Sequence, residues 1–414
     1  MKLGLAAIDA VCERLGRPER SVPAVLVAGT NGKGSVAAML SACAKAGGVR
    51  AGLYTSPHLA RAGERIRVEE ADVSDEELDS ALEPVFRAAG AAPEIPLTYF
   101  EAATAAAFAA FAGRRLGLAI LEVGLGGRFD ATNVVPARLS IVTGIGLDHV
   151  EELGPTLESI AREKAGVFRF GRPALVGPCA EEARRALAES ALQTGAVFHD
   201  AAGEVALSDV ATSLDGTRFH LATPGNQYRL AVPLPGAHQA VNAAVAVRAA
   251  ELLSKEFPGL GVGAIERGLA ATRWPGRLEK FVVRGRAVVL DGCHNRQGAE
   301  ALAQFLGNAG LAGRARLVFG AMADKDVEGM AEVLFPRAAS VHLVPASSPR
   351  GATADELLSR TRGVRPGAIS APDVEAALAA LLGESDPAPI IVAGSLYLVG
   401  ETRTLILSGR FEDE

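Results

Sequence analysis

The chain has 414 residues, a hydrophobic fraction of 49% and a formal net charge of −6. This length exceeds one typical core and predicts two packed domains, while the negative charge argues against a nucleic-acid partner, which would need a basic face. No apolar run approaches transmembrane length and the first residues lack a signal-peptide core, so we expect no membrane partner. The four cysteines form no CxxC pair, which indicates neither a zinc site nor a disulfide framework and favours the cytoplasm.

Apolar runs alternate with helical patterns along most of the chain, which is typical of a largely parallel α/β sheet. In the first part of the chain we predict strands at 22–28, 49–54, 117–123 and 138–144. A capping box at 74–77 predicts the start of a helix. Further predictions are a buried Ala-rich helix at 98–112, a β-hairpin within 203–232 whose turn is Thr223-Pro224-Gly225-Asn226, and a helix at 237–253.

A domain boundary is predicted at Trp274-Pro275-Gly276-Arg277, because Pro and Gly break the preceding helix. This divides the chain into residues 1–274 and 275–414. A second alternating series then follows, with strands at 286–290, 315–319, 340–344 and 389–393 and helices at 297–307, 325–335, 353–361 and 373–382. The predicted fold is α/β: a doubly wound, mostly parallel sheet with a P-loop and small β-hairpin elements, plus a smaller Rossmann-like domain.

A glycine-rich loop follows the first predicted strand and opens a helix: Ala28-Gly29-Thr30-Asn31-Gly32-Lys33-Gly34-Ser35. Such a turn directs backbone N–H groups and a helix N-terminus at one point, which suits a phosphate. Lys33 adds a point charge, and Ser35 adds a hydroxyl able to ligate Mg²⁺. The spacing departs from GxxxxGK[ST], because Val27 replaces the first glycine and Gly34 separates Lys33 from Ser35. A merely flexible turn is the weaker interpretation.

Polar residues stand at the ends of the later strands, where ligands of α/β sheets usually bind. Glu122 ends an otherwise apolar strand, and a buried lone carboxylate is costly unless it is paired or binds a cation. Glu122 therefore favours a metal role. Ser56 and His149 follow two other strands, but alone they are equally explained as a turn serine and a surface histidine.

Together these segments resemble the folylpolyglutamate synthase/dihydrofolate synthase family, a branch of the ATP-dependent Mur ligases. The loop is common to Mur-type ligases, whereas the whole set in this order is specific to the folate branch. One departure is Cys293, where the family usually has a small residue such as Ala. The motifs are the loop 29–35, Thr55-Ser56-Pro57-His58-Leu59, Tyr99-Phe100-Glu101, the segment 122–133, Asp148-His149, Glu163-Lys164-Ala165-Gly166, Trp274-Pro275-Gly276-Arg277, Asp291-Gly292-Cys293-His294-Asn295 and Gly394-Ser395-Leu396-Tyr397.

The resemblance implies that ATP and two Mg²⁺ ions are bound. Lys33 and the loop would hold the ATP phosphates, and further nucleotide contacts would come from Asn242, Arg277 and Asp291. One Mg²⁺ would be held by Ser35, Glu122 and Ser56, and the second by His149 and Lys164. The family's matching lysine is commonly carbamylated, which turns a cation into an oxygen ligand. Without the resemblance, Lys164 would be interpreted as a surface lysine of an amphipathic helix.

The resemblance also implies the substrate contacts. Phe100 and Asp130 match pterin-side positions, Arg128 could contact a substrate carboxylate or phosphate, and Ser395 could receive the carboxylate of glutamate. His294 could accept a proton from the glutamate amine or orient the substrate. On their own, Phe100 would be core and Ser395 a helix N-cap.

The predicted activity is ATP-dependent addition of L-glutamate to folate, and also to dihydropteroate, through an acyl phosphate. Which acceptor is used stays open, and the resemblance implies a monomer. One alternative is a cell-wall Mur ligase, but the early loop leaves no room for its N-terminal UDP-binding domain. Another is a non-enzymatic P-loop protein, which would not need Glu122, His149 and Asp291 together.

Overall fold

The computed structural model describes residues 4–412. They form two compact units. The first unit holds the chain up to Asp209 together with Phe219–Val232 and Gln239–Thr272. The second holds Val210–Arg218, Pro233–His238 and the chain from Arg273 onward. Within residues 4–412, no helix combines the length and apolar character needed to cross a membrane.

The first unit is built on a mixed sheet whose strand order is β4-β3-β2-β5-β1-β6-β7-β8 within the described residues. All pairings from β2 to β8 are parallel, while β3 and β4 form an antiparallel edge. The strands are β1 Ala24–Ala28, β2 Ala51–Tyr54, β3 Ile66–Val68, β4 Ala71–Asp72, β5 Leu118–Glu122, β6 Leu139–Val142, β7 Pro173–Val176 and β8 Val197–Asp200. The four strands predicted from sequence for this part are confirmed, whereas β3, β4, β7 and β8 were not predicted.

Helices cover this sheet. They are α1 Ala6–Arg14, α2 Lys33–Ala46, α3 Asp75–Gly90, α4 Tyr99–Gly113, α5 Val150–Leu153, α6 Leu157–Lys164, α7 Glu181–Thr194, α8 Ala201–Glu204, α9 Ala237–Leu253 and α10 Val262–Ala271. The predicted capping box at the start of α3 is confirmed, because Ser74 accepts from Glu77 N–H and Glu77 accepts from Ser74 N–H. The Ala-rich helix α4 is buried along most of its length, as predicted.

A three-stranded sheet of order β11-β10-β9 follows β8 within residues 4–412. Its strands are β9 Ala206–Ser213, β10 Gly216–Ala222 and β11 Gln227–Val232. The predicted turn joins β10 to β11, where Thr223 N–H donates to the carbonyl of Asn226 at 2.9 Å. The sequence predicted only the hairpin of β10 and β11. The structure adds β9, which is joined to β10 by a second tight turn and pairs with it.

The second unit carries a sheet of order β12-β13-β17-β14-β15-β16 in the described part of the chain. Its pairings are parallel apart from β12 with β13. The elements are β12 Glu279–Val283, β13 Arg286–Asp291, α11 Arg296–Asn308, β14 Arg316–Phe319, α12 Val327–Leu334, β15 Ser340–Leu343, α13 Ala354–Thr361, β16 Ile369–Ser370, α14 Val374–Leu382, β17 Ile390–Ala393 and α15 Leu396–Leu407. The predicted α/β series is confirmed, and β12, β16 and α15 add to it.

Candidate active site

The glycine-rich loop runs from the end of β1 to the first residue of α2. Gly32 has φ +83°, a left-handed conformation that favours glycine. A methyl group added there would also lie 2.4 Å from Asn242 Oδ1. The Asn242 side chain of α9 therefore lies directly against the loop.

The loop is bound to the end of the neighbouring strand β6. Thr143 Oγ1 donates to the carbonyl of Asn31 at 2.6 Å. Thr30 Oγ1 donates to the carbonyl of Gly146 at 3.1 Å and accepts from Gly146 N–H at 3.0 Å. These bonds fix the loop without using the N–H groups at the start of α2. Ser35 and Gly34 are buried in the first turn of that helix.

Lys33 folds back over the loop that precedes it. Its Nζ donates to the carbonyls of Gly29 and Thr30 at 3.1 and 3.0 Å. The ammonium therefore lies over the loop backbone, where the sequence predicts the phosphates of a nucleotide.

Glu122 is 6% exposed at the carboxyl end of β5. Its Oε2 accepts the backbone N–H of Ser56 at 3.2 Å, so the structure brings these two predicted metal residues together. In strand register, Glu122 pairs with Val27 of β1, close to the start of the loop. Groups of three or more His, Cys, Asp or Glu side chains that could hold a metal ion are absent from residues 4–412.

Lys164 ends α6 and is only 5% exposed. Its Nζ donates to the carbonyl of Gly29 at 2.9 Å, the same carbonyl that Lys33 contacts. Burial, followed by the positive charge of Lys33, lowers the pKa of Lys164 to about 7, against the opposing effects of Asp148 and Asp130. The surface-lysine interpretation of this residue is therefore wrong.

Two residues that the sequence did not single out hold the segment after Lys164. Arg169 donates to the carbonyls of Val167 and Phe168 at 2.9 and 3.2 Å, and to Asn133 Oδ1 at 2.6 Å. Asn133 donates in turn to the carbonyls of Arg128 and Gly166. These bonds join the segment after β5 to the end of α6. In the sequence, the place of Asn133 at the end of the motif 122–133 is the only signal for its role. The sequence gives no signal for the role of Arg169.

Asp130 is buried with its oxygens engaged by its own loop. Oδ2 accepts from the N–H groups of Gly124 and Leu125, each at 3.0 Å, and Oδ1 accepts from Thr132 N–H and Oγ1 at 3.0 and 2.6 Å. Burial raises the pKa of Asp130, and these hydrogen bonds oppose the shift. Four accepted bonds use the usual capacity of a carboxylate, so Asp130 organises the loop after β5.

Phe100 lies beside this loop, whereas Arg128 and His149 are more exposed. A methyl group at Gly124 would lie 2.7 Å from Phe100 Cζ and 3.2 Å from Asp130 Oδ2. Arg128 Nε lies 3.5 Å from Glu163 Oε1, and its side chain is 53% exposed. His149 has φ +52° at the start of α5, with Asp148 Oδ1 3.9 Å from its Nε2.

The second unit gathers the remaining predicted residues at the ends of β13 and β17, which pair in parallel with Asp291 opposite Ala393. Asp291 accepts from Leu278 and Cys293 N–H, each at 3.1 Å. His294 Nδ1 lies 2.9 Å from the carbonyl of Gly292. A methyl group at Gly292 would lie 2.4 Å from Arg277 Nη1, so Arg277 adjoins this loop. Ser395 is 1% exposed and caps α15 by accepting from Tyr397 N–H at 3.2 Å.

Two protein families match successive parts of the chain. The Mur ligase middle domain matches residues 27–250, and the glutamate ligase domain of Mur ligases matches residues 276–396. A P-loop sheet followed by an α/β glutamate ligase domain defines an ATP-dependent ligase of the Mur type.

Comparison with individual proteins shows which branch of the Mur-type ligases the chain is similar to. The chain is 34% identical to the dihydrofolate synthase/folylpolyglutamate synthase of Bacillus subtilis, over 97% of this chain and 95% of the relative. It is 34% identical to the structure of Escherichia coli FolC in complex with DHPP and ADP, with a TM-score of 0.89 over 99% of this chain and 94% of that one. A bifunctional folylpolyglutamate synthase/dihydrofolate synthase with Mn, AMPPNP and L-glutamate bound gives 34% identity and a TM-score of 0.86 over 98% and 95% of the two chains.

The chain belongs to the folylpolyglutamate synthase/dihydrofolate synthase family. It is an ATP-dependent ligase that joins glutamate to folate and uses a divalent metal ion. The family and activity predicted from the motifs are confirmed.

Proposed function

We propose that the chain glutamylates both dihydropteroate and tetrahydrofolate through an acyl phosphate on the acceptor carboxylate. The observation that carries this proposal is the convergence of Lys33 and Lys164 on the carbonyl of Gly29. Lys33 supplies a positive charge for an anionic nucleotide at this loop, and Lys164 lies beside it, where it can supply a ligand for a cation. The similarity to FolC in complex with DHPP and ADP supports both acceptor and nucleotide binding.

In this proposal the loop and Lys33 hold the phosphates of ATP, and Asn242 contacts the nucleotide from α9. Arg277 and Asp291 are proposed nucleotide contacts as well, and within the second unit both adjoin one strand-end loop. Asn242 is supported by its position against Gly32.

The residues near Glu122 suit Mg²⁺. One carboxylate and the hydroxyls of Ser35 and Ser56 offer few, hard oxygen ligands, the donor set of an ion that keeps waters and binds substrate phosphates. We propose that these three residues hold one ion, and that His149 and a carbamylated Lys164 hold a second. When bound, Mg²⁺ supplies charge neutralisation for the phosphoryl group being transferred.

Carbamylation of Lys164 is supported by its surroundings. Only a neutral amine reacts with CO₂, and the pKa of about 7 leaves much of Lys164 neutral near physiological pH. The residue is also buried beside the Lys33 ammonium, so replacing its positive charge by a negative one removes a repulsion between like charges.

The reaction then proceeds in two steps. An oxygen of the acceptor carboxylate bonds to the γ-phosphorus of ATP, and the bond to ADP breaks. The glutamate amine next attacks the acyl carbon of this acyl phosphate. The bond from that carbon to the phosphate oxygen breaks, and the amine nitrogen loses a proton. His294 Nδ1 donates to the carbonyl of Gly292, and this bond orients the imidazole ring. This suits His294 as the group that accepts the proton or orients the amine.

Four further residues would act on the substrates. Phe100 would stack on the pterin, and Asp130 would act at the pterin side through the loop that it organises. Arg128 would meet an anionic group of the substrate, and Ser395 would receive glutamate at the N-terminus of α15. We also propose a monomer that acts in the cytoplasm, with its domain boundary at 274–275.

The test offers dihydropteroate and tetrahydrofolate separately, with ATP, Mg²⁺ and L-glutamate, and identifies products by mass. We expect one added glutamate on each acceptor, with ADP formed in equal amount. Reactions without glutamate, and the Lys33→Ala variant, serve as controls. Product from only one acceptor would contradict the dual specificity, and ADP formation that depends on neither substrate would contradict the ligase mechanism.

A further inference from the structure

The segment Ser56–Arg65, which joins β2 to β3 in the first unit, is organised around one carboxylate. Glu64 Oε2 accepts from the N–H groups of Leu59 and Ala60 at 2.7 and 3.2 Å, and Oε1 accepts from Arg61 N–H at 3.1 Å. At the end of the segment, the carbonyl of Arg65 accepts Thr55 N–H at 2.9 Å. These hydrogen bonds hold the backbone of the segment, so the Arg65 side chain starts from a fixed position.

The guanidinium of Arg65 contacts two aromatic side chains. Its Nε donates to His58 Nδ1 at 2.9 Å. Its Cζ lies 5.0 Å from the centroid of the Tyr99 ring, a distance at which a cation is attracted to the ring face. Burial raises the pKa of the Tyr54 hydroxyl, and the positive charge of Arg65 opposes that shift. Because an imidazole and a phenol ring are the groups that contact this cation, its orientation is set by uncharged partners.

A guanidinium held in this way is suited to an anion from outside the chain. It has five N–H donors in a rigid fork that matches a carboxylate. The bond from Nε to His58 uses one of these donors, and the half-buried position weakens solvent screening. A structural role alone would be served equally well by a neutral side chain between these rings.

Contacts connect Arg65 with residues at both ends of the proposed acceptor site. On one side its carbonyl is bonded to Thr55, the neighbour of Ser56, whose N–H contacts Glu122. On the other side Tyr99 precedes Phe100, whose ring centroid is 6.0 Å from that of Tyr54. These contacts connect Arg65 with Phe100, the proposed pterin residue, and with Glu122, the proposed metal residue. We infer that Arg65 binds the carboxylate of the acceptor and selects for it, an inference that rests on the proposed function.

The experiment compares binding of dihydropteroate with binding of its carboxamide, which keeps the shape and lacks the charge. Binding is measured calorimetrically without ATP for the wild type, Arg65→Gln and Arg65→Lys. We expect the wild type to prefer the acid by about tenfold to a hundredfold, the range of hydrogen bonds to charged groups. Arg65→Gln should lose this preference, and Arg65→Lys should keep part of it. In turnover, the KM for dihydropteroate should rise while the KM for ATP is unchanged.

Arg61→Gln is the matched control, because Arg61 lies on the same segment with a half-exposed side chain that contacts Asp75. It should bind both compounds as the wild type does. A merely structural role would weaken the acid and the carboxamide equally, so a preserved preference in Arg65→Gln overturns the inference. Failure of the wild type to glutamylate dihydropteroate would instead contradict the proposed function. Arg65→Lys decides the outcome if Arg65→Gln does not fold.

Discussion

Lys164 makes the stability of this protein depend on pH in a direction that can be derived from its surroundings. Its pKa is about 7 in the folded chain and 10.5 for an ordinary lysine. Between these values the unfolded chain binds more protons, so the free energy of unfolding rises with pH. Below pH 7 both states are protonated, and the folded state carries the whole cost of a buried ammonium, about 5 kcal/mol for this difference in pKa.

The perturbation is Lys164→Met, which fills similar space and does not titrate. Titration of groups that do not interact with Lys164 cancels in the difference between the two proteins, and the lost bond to Gly29 adds an offset. We expect the wild type to gain slightly more than ~1 kcal/mol per pH unit relative to the variant between pH 7 and 9. Below pH 6 the difference should be flat.

The assay is urea unfolding followed by far-ultraviolet circular dichroism at pH 5.5 to 9, in buffers free of CO₂ so that no carbamate forms. Lys45→Met is the matched control, because Lys45 is exposed on α2, and its difference from the wild type should not change with pH. A difference for Lys164→Met that is independent of pH from 6 to 9 would refute a depressed pKa and remove the main support for carbamylation.

Two further predictions concern the proposed metal ligands. Glu122→Gln keeps the shape and the acceptor for Ser56 N–H but removes the charge, so the Mg²⁺ concentration for half-maximal activity should rise about tenfold or more; an unchanged Mg²⁺ dependence would make Glu122 structural. Lys164→Ala should be nearly inactive and regain some activity with added formate or acetate, which can supply an oxygen ligand, whereas Lys164→Arg should gain nothing because it keeps a positive charge. Equal responses of the two Lys164 variants to carboxylates would contradict the carbamate.

The sequence by itself determined those features that depend on short stretches of chain. The apolar run of β1, the glycine with positive φ at Gly32 and the helix that follows are a local pattern, so the phosphate loop was predictable. Capping of α3 by Ser74 and Glu77 is equally local, since its donors and acceptors lie three residues apart. The second sheet was predicted for the same reason, because its strands and helices alternate with clear breaks. The family motifs added the order in which these pieces occur.

The tertiary structure decided the features that depend on residues far apart in the chain. β8 is short and only half-buried, and it becomes a strand because β7 offers an edge for pairing. Asp130 was predicted at the substrate side, but the N–H groups that surround it exist only once its loop has folded. Lys164 is the clearest case. Its helix has the amphipathic pattern of a surface helix, and the phosphate loop that buries it lies 135 residues earlier. Burial and charge are sums over all neighbours in space, so the environment that lowers the pKa of Lys164 arises only when the folded chain brings Gly29 and Lys33 to it.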